Sequence, residues 1–185
     1  MRGFLLFLSL FAGTVLPSCA CNTPSIYCPD PEPSCNLRER TYAAIDSLLR
    51  QHDCDADLGR MLVATLVNIN DFNETSMFGR QLAEYMSTRL TQRDKDVILA
   101  TIRQDHLLIR DEGQFLLSRE VRNLVADHNA KSVIVGTYGL TKEYVYVTIR
   151  LVSTVDDSIL SAVDFAIRRG EGVDEMLAAS ARDWR

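Results

Sequence analysis

Cys19, Cys21, Cys28, Cys35 and Cys54 all lie in the first third of a 185-residue chain, and no cysteine follows them. A thiol can ligate a metal, pair as a disulfide, act as a nucleophile or carry a lipid, and its surroundings decide which. The spacings among Cys21, Cys28, Cys35 and Cys54 contain no C-x₂₋₄-C knuckle, so a structural zinc site is disfavoured. Cys54 sits between Asp53 and Asp55, and adjacent carboxylates raise a thiol pKa, the reverse of what a nucleophile needs. Asp53, Asp55 and Asp57 imitate the opening of a calcium loop, but Leu58 and Ala64 occupy the positions that would require glycine and a bidentate acid. The segment reads as an acidic loop. His52, His106 and His128 stand apart from one another, with no H-E-x-x-H pair among them. Gly136-Thr137-Tyr138-Gly139 is expected between two strands, not between a strand and a helix, so it cradles no phosphate. Gly170-Glu171-Gly172 reads as a connection before the last helix. Neither G-x-S-x-G nor G-x-x-x-x-G-K-[ST] occurs. The expectation is a protein with no catalytic residue, cofactor or metal.

The start of the chain gives the cysteines another setting. Met1-Arg2-Gly3 carries one positive charge, and Phe4 to Val15 is a short apolar run, the plan of a secretory signal peptide. A membrane span would need about 20 apolar residues. Leu16-Pro17-Ser18-Cys19 resembles the bacterial lipobox, with an aliphatic residue, a spacer, a small residue and then cysteine. That resemblance implies lipid attachment at Cys19 after removal of residues 1–18. Cys21 fits less well, because Ser18 would then fill the aliphatic position. One acyl chain binds a membrane only reversibly, and stable anchoring takes more than one. By resemblance to diderm lipoproteins, in which an aspartate after the acylated cysteine tends to retain the protein in the inner membrane, Ala20 favours the outer membrane. The other four cysteines then form an even set suited to disulfides in an oxidising compartment. A short Cys28–Cys35 loop with Cys21 reaching Cys54 is one of three pairings, and the sequence does not choose among them.

All five prolines precede residue 34, and four lie between Ala20 and Cys35. Residues 19–35 therefore read as an extended tether, long enough at ~3.1 Å per residue to span roughly 50 Å. A Pro-rich peptide ligand would carry P-x-x-P with basic flanks, and none is present. Residues 36–185 suit one domain. The formal charge of −5, or −6 once Arg2 leaves with the signal, gives no basic stripe for nucleic acid and no polybasic patch for phospholipid.

The elements follow from periodicity. Leu37, Tyr42, Ile45, Leu48 and Leu49 form one stripe of a helix over Leu37–Gln51. Arg60–Ile69 is a near-continuous apolar run, as expected of a strand buried on both faces. Thr75 or Ser76 caps a helix to about Gln92, with Phe78, Leu82, Tyr85, Met86 and Leu90 at helical spacing. Val97–Ile102 is a second strand, and Ser118 opens a helix burying Leu117, Val121, Leu124 and Val125. Lys131–Tyr138 is a third strand. Tyr144–Val152 alternates Val145, Val147, Ile149 and Leu151 with Tyr144, Tyr146, Thr148 and Arg150, marking an antiparallel strand with one wetter face. Asp156-Asp157-Ser158 makes a turn, Ile159–Ile167 a fifth strand, and Asp174–Ala181 a last helix. The order α-β-α-β-α-β-β-β-α gives an α/β fold with a mixed parallel and antiparallel sheet and helices packed on it.

Four segments in this order, VNINDFNETSMFGRQL (Val67 to Leu82), LAEYMSTRLTQR (Leu82 to Arg93), EGQFLLSREVRNL (Glu112 to Leu124) and VIVGTY (Val133 to Tyr138), resemble the FlgO family. Asp94-Lys95 stand where that family commonly has a small residue and an aromatic. The resemblance implies a non-enzymatic lipoprotein of the outer membrane with its domain in the periplasm. It further implies support of the flagellar basal body and motility, flagellar or envelope proteins as partners, and self-association as an added option. It supplies no catalytic residues. TolB amino-terminal and CsgG-like domains are more distantly similar, so an export component of the outer membrane is the alternative, and a periplasmic enzyme a weaker one. An export component would need amphipathic membrane hairpins, and only Tyr144 to Ile167 could serve, against Asp156, Asp157 and Asp164. The polar loop after the first strand, with Asp71, Asn73 and Glu74, sits where α/β units often carry function. With Tyr144 and Tyr146 on the wetter face it is the candidate partner-binding surface.

Overall fold

The computed structural model describes residues 37–51, 58–70, 76–100, 107–109, 115–117 and 119–179. Its elements are α1 (Leu37–Gln51), β1 (Arg60–Ala64), β2 (Val67–Asn68), α2 (Met77–Gln92), β3 (Val97–Ala100), β4 (Leu107–Ile109), β5 (Phe115–Leu117), α3 (Arg119–His128), β6 (Ala130–Leu140), β7 (Tyr144–Ser153), β8 (Ile159–Arg168) and α4 (Glu171–Ala178). Six strands make one mixed sheet in the order β3-β1-β6-β7-β8, with β2 also paired to β6. β1 runs parallel to β3 and β6, whereas β6, β7 and β8 form an antiparallel meander. β4 and β5 form a separate hairpin that periodicity did not reveal.

The two faces of the sheet bury different residues. Met61 and Val63 join the larger core with Ile45 and Leu48 of α1, Phe78, Leu82, Met86 and Leu90 of α2, and Val145, Val147, Ile149 and Leu151 of β7. Leu62 and Ala64 turn the other way, to Val133, Val135 and Val152, with Leu124 and Val125 of α3 packed against them. This is the two-sided burial expected of the apolar run in β1. On α1, Thr41 and Ala44 are buried beside Ile45 and Leu48, and Tyr42 and Tyr85 are only half-buried. Those two rings meet edge-on at 6.4 Å, sealing the α1–α2 seam.

The structure corrects several element boundaries. The expected strand Arg60–Ile69 breaks after Ala64. Val63 pairs with Ile134 but Val67 with Thr137, so the first strand carries one residue more than β6 between those pairs. The bulge follows from close packing. A Cβ on Gly79 of α2 would lie 2.2 Å from the Leu66 carbonyl oxygen, and a Cβ on Gly136 of β6 would lie 2.9 Å from Leu66 Cγ. Leu66 thus occupies space that two glycines leave open, and its amide donates to the Gly79 carbonyl oxygen at 3.4 Å. Gly136 to Gly139 lies inside β6, not between strands, because β6 extends to Leu140 to match β7. Gly170 is the N-cap of α4, which starts at Glu171 and includes Gly172, so that segment is less a connection than a helix start.

Ser76 is the α2 cap: its backbone is extended, and its hydroxyl accepts from the Gly79 amide at 3.2 Å. That hydroxyl also pairs with the Tyr138 hydroxyl at 2.7 Å, and both residues are buried. Tyr138→Phe should therefore cost about 1 kcal/mol in chemical denaturation, the net worth of a buried hydrogen bond. Combined with Ser76→Ala it should fall short of additivity, because both changes remove the same bond. Additive losses would show the two residues acting independently. Just past the Arg93 C-cap of α2, Asp94 adopts φ 56°, the left-handed conformation that glycine or asparagine usually fills at that place. The Lys95 amide then reaches back to the Leu90 carbonyl at 3.1 Å.

Candidate functional site

β7 places Tyr144, Tyr146, Thr148 and Arg150 on the face opposite the larger core, as the alternation predicts. α3 covers one end of that face, over Val133, Val135 and Val152. At the other end the register aligns a row across three strands, in which Gly139 of β6 faces Tyr146, and Tyr146 faces Ala166 of β8. The row extends past β6. The Ile69 amide donates to the Tyr138 carbonyl at 2.9 Å, and Ile69 Cγ2 lies 3.3 Å from where a Gly139 Cβ would sit. Ile69 is 52% exposed and Tyr146 53%, with backbone between them where Gly139 has no side chain.

The neighbouring pairs give this patch its charge and aromatic character. Tyr144 is half-buried, lies opposite Arg168, and tilts toward Tyr146 with ring centroids 6.3 Å apart. Exposed Asp164 lies opposite Thr148, on the other side of the Tyr146–Ala166 pair from Arg168. The surface is an aromatic shelf with an exposed cation at one end and an exposed carboxylate toward the other.

Tyr144 and Tyr146 are thus placed by the structure, and Ile69 joins them. The exposure of Ile69 was hidden in the apolar run, which suggested burial throughout; the signal was its place after Asn68, where the strand ends. Asp71, Asn73 and Glu74 lie outside the described residues, as do Cys19, Cys21, Cys28, Cys35 and Cys54. The root of the polar loop is nevertheless fixed. Ile69 and Asn70 leave beside β6, one strand from Tyr146, and Asn68 Oδ1 accepts from the Asn70 amide at 3.0 Å, which turns the chain at the strand end.

Elsewhere the titratable groups do structural work. Asp46 of α1 receives two guanidinium forks. Arg89 donates at 2.9 and 2.6 Å, and Arg93 at 2.8 and 2.7 Å. Burial pushes the Asp46 carboxyl up, but these hydrogen bonds and the two positive charges outweigh it and hold the group at about 2. His128 ends α3, and its carbonyl accepts from Arg60 at 3.1 Å. His52, His106 and the Asp53–Asp57 loop lie outside the described residues. Among the described residues no three His, Cys, Asp or Glu side chains converge to hold a metal. None of the described helices is long and apolar enough to cross a membrane. The β7–β8 hairpin commits its apolar side, Val145, Val147, Ile149 and Leu151, to the core, and so lacks the free apolar side that a membrane hairpin needs.

The family model described as FlgO protein matches residues 42–171. No curated protein matches the chain. Among solved structures, the LpoB C-terminal domain from Salmonella enterica is similar at 14% identity and TM-score 0.48, covering 70% of this chain and 98% of that one. A PelC dodecamer from Paraburkholderia phytofirmans gives 14% and 0.47, covering 70% of this chain and 86% of that one. Lipoprotein GNA1162 from Neisseria meningitidis gives 18% and 0.39, with coverages of 61% and 82%. These are likenesses of outline only.

Proposed function

The chain belongs to the FlgO protein family, and we propose from this membership that it is a non-enzymatic lipoprotein of the cell envelope that supports the flagellar basal body and motility. The observation that carries the reading is the family match across residues 42–171, joined to the Leu16–Cys19 lipobox that precedes it. Residues 1–18 would be removed, Cys19 acylated, and residues 19–35 would connect the outer membrane to a periplasmic domain at 36–185. Cys21, Cys28, Cys35 and Cys54 would brace the tether as disulfides. The Ile69–Tyr146 shelf and the Asp71–Glu74 loop rooted near it would meet a protein of the flagellum or envelope, since exposed aromatics within a polar, charged rim are the usual anchors of such contacts.

Deletion of the gene should abolish or strongly reduce swimming, and re-expression of the intact chain should restore it. Re-expression of Cys19→Ser should restore neither swimming nor palmitate incorporation. Normal swimming in the deletion strain would refute the flagellar role, and undiminished palmitate label in Cys19→Ser would refute the anchor.

A further inference from the structure

The tether carries Pro29-Asp30-Pro31-Glu32-Pro33, an acidic proline run, four residues before α1 begins at Leu37. α1 packs on the face of the sheet opposite the aromatic shelf, and its N-terminus is level with the shelf along the strands. Arg40, in its first turn, donates to the Ala166 carbonyl at 3.0 Å, and Ala166 lies opposite Tyr146. At the other end of the helix, Gln51 accepts from the Ala162 amide at 3.4 Å, so α1 runs antiparallel to β8 and its N-terminus lies toward Arg168. The chain before Leu37 therefore starts at the edge of β8, at the end of the sheet where Tyr144, Tyr146 and Arg168 are displayed.

We propose that Pro29–Pro33 wraps the β8 edge and docks as an intramolecular strap on Tyr144 and Tyr146. Reach allows it. Reaching the sheet edge from the helix layer spans about 10 Å, passing to the far face about 5 Å more, and stepping from β8 to β7 about another 5 Å. Polyproline chain covers that in about six or seven residues at ~3.1 Å each, which brings the proline run over the tyrosines. Chemistry favours it too. Proline segments dock on exposed aromatic shelves because their extended form is already populated and loses little entropy on binding. Asp30 and Glu32 would meet exposed Arg168, while exposed Asp164 repels an acidic strap from the opposite direction. Charge therefore sets the position of the strap along the strands. A partner using the same shelf would have to displace it.

The test uses the full chain from residue 19 with all native cysteines changed to serine, plus Pro31→Cys and Ala166→Cys. Intramolecular disulfide formation should slow about fivefold when Tyr144→Ser and Tyr146→Ser are added, since a short linker gives millimolar effective concentration and a majority-docked strap. Arg168→Glu should slow it with the native strap and accelerate it when Asp30→Lys and Glu32→Lys are also present. That reversal of sign cannot come from altered thiol reactivity. A rate indifferent to the tyrosines would overturn the proposal. Concentration-dependent linkage between chains would also overturn it, by assigning the shelf to a second copy. Melting temperatures verify that each variant is folded. Neither result bears on the swimming test, so the strap and the flagellar role stand or fall separately.

Discussion

Gly79→Ala should lower the stability of the domain by about 3 kcal/mol or more, although an alanine in a helix interior ordinarily gains up to about 1 kcal/mol over glycine. The geometry decides the sign. Gly79 is the third residue of α2, and an added Cβ would meet the Leu66 carbonyl oxygen at 2.2 Å and its carbon at 3.1 Å. Both atoms belong to backbone, so no rotamer change relieves the overlap. The helix start would have to move off the sheet, taking the Ser76 cap, the Ser76–Tyr138 hydrogen bond and the buried Phe78 with it. Overpacking of this kind costs 1–3 kcal/mol by itself, about as much as the cap and a buried hydrogen bond together add. Urea unfolding of Gly79→Ala beside the parent chain measures the outcome directly. A gain in stability would mean that α2 does not dock on Leu66 as described.

Asp46→Asn should be the second large loss, about 2 kcal/mol at neutral pH, seen as a fall of roughly 5 °C in Tm. The carboxylate is 15% exposed and Arg89 24%, so the pair is only partly screened, whereas Arg93 is 47% exposed and adds less. Arg89 also lies 5.4 Å above the Tyr42 ring, so the cluster ties α1 to α2 by charge and by packing. The pH dependence has a definite sign. The folded carboxyl titrates at about 2 and the unfolded one at 3.8, so its stabilisation is complete above the latter value. It then drains away as pH falls toward 2. The difference in stability between parent and Asp46→Asn should therefore shrink steadily on acidification from about pH 5 to pH 2. A constant difference across that range would assign the loss to packing and not to ionisation.

Every cysteine of the sequence lies before residue 55, whereas the largest expected losses come from Gly79 and Asp46. Neither residue was singled out by pattern for its effect. Asp46 is an ordinary polar position on an amphipathic helix until α2 places two arginines over it, 43 and 47 residues away. Tyr144 and Tyr146, in contrast, were legible, because the two-residue period of β7 exposes one side whenever the other is apolar.

The sequence alone determined the order and type of the main elements, the two-sided burial of Met61 to Ala64 and the wet face of β7. Each of these depends on local periodicity, which the chain states directly. Only the tertiary structure decided where the long apolar run breaks, why Leu66 leaves the ladder, and that exposed Ile69 and Tyr146 flank Gly139 on one face of the sheet. Those features arise from contacts between residues far apart in the chain. A bulge is set by what packs against the strand, here Gly79 and Gly136, and no pattern within residues 60–69 encodes the presence of those two glycines.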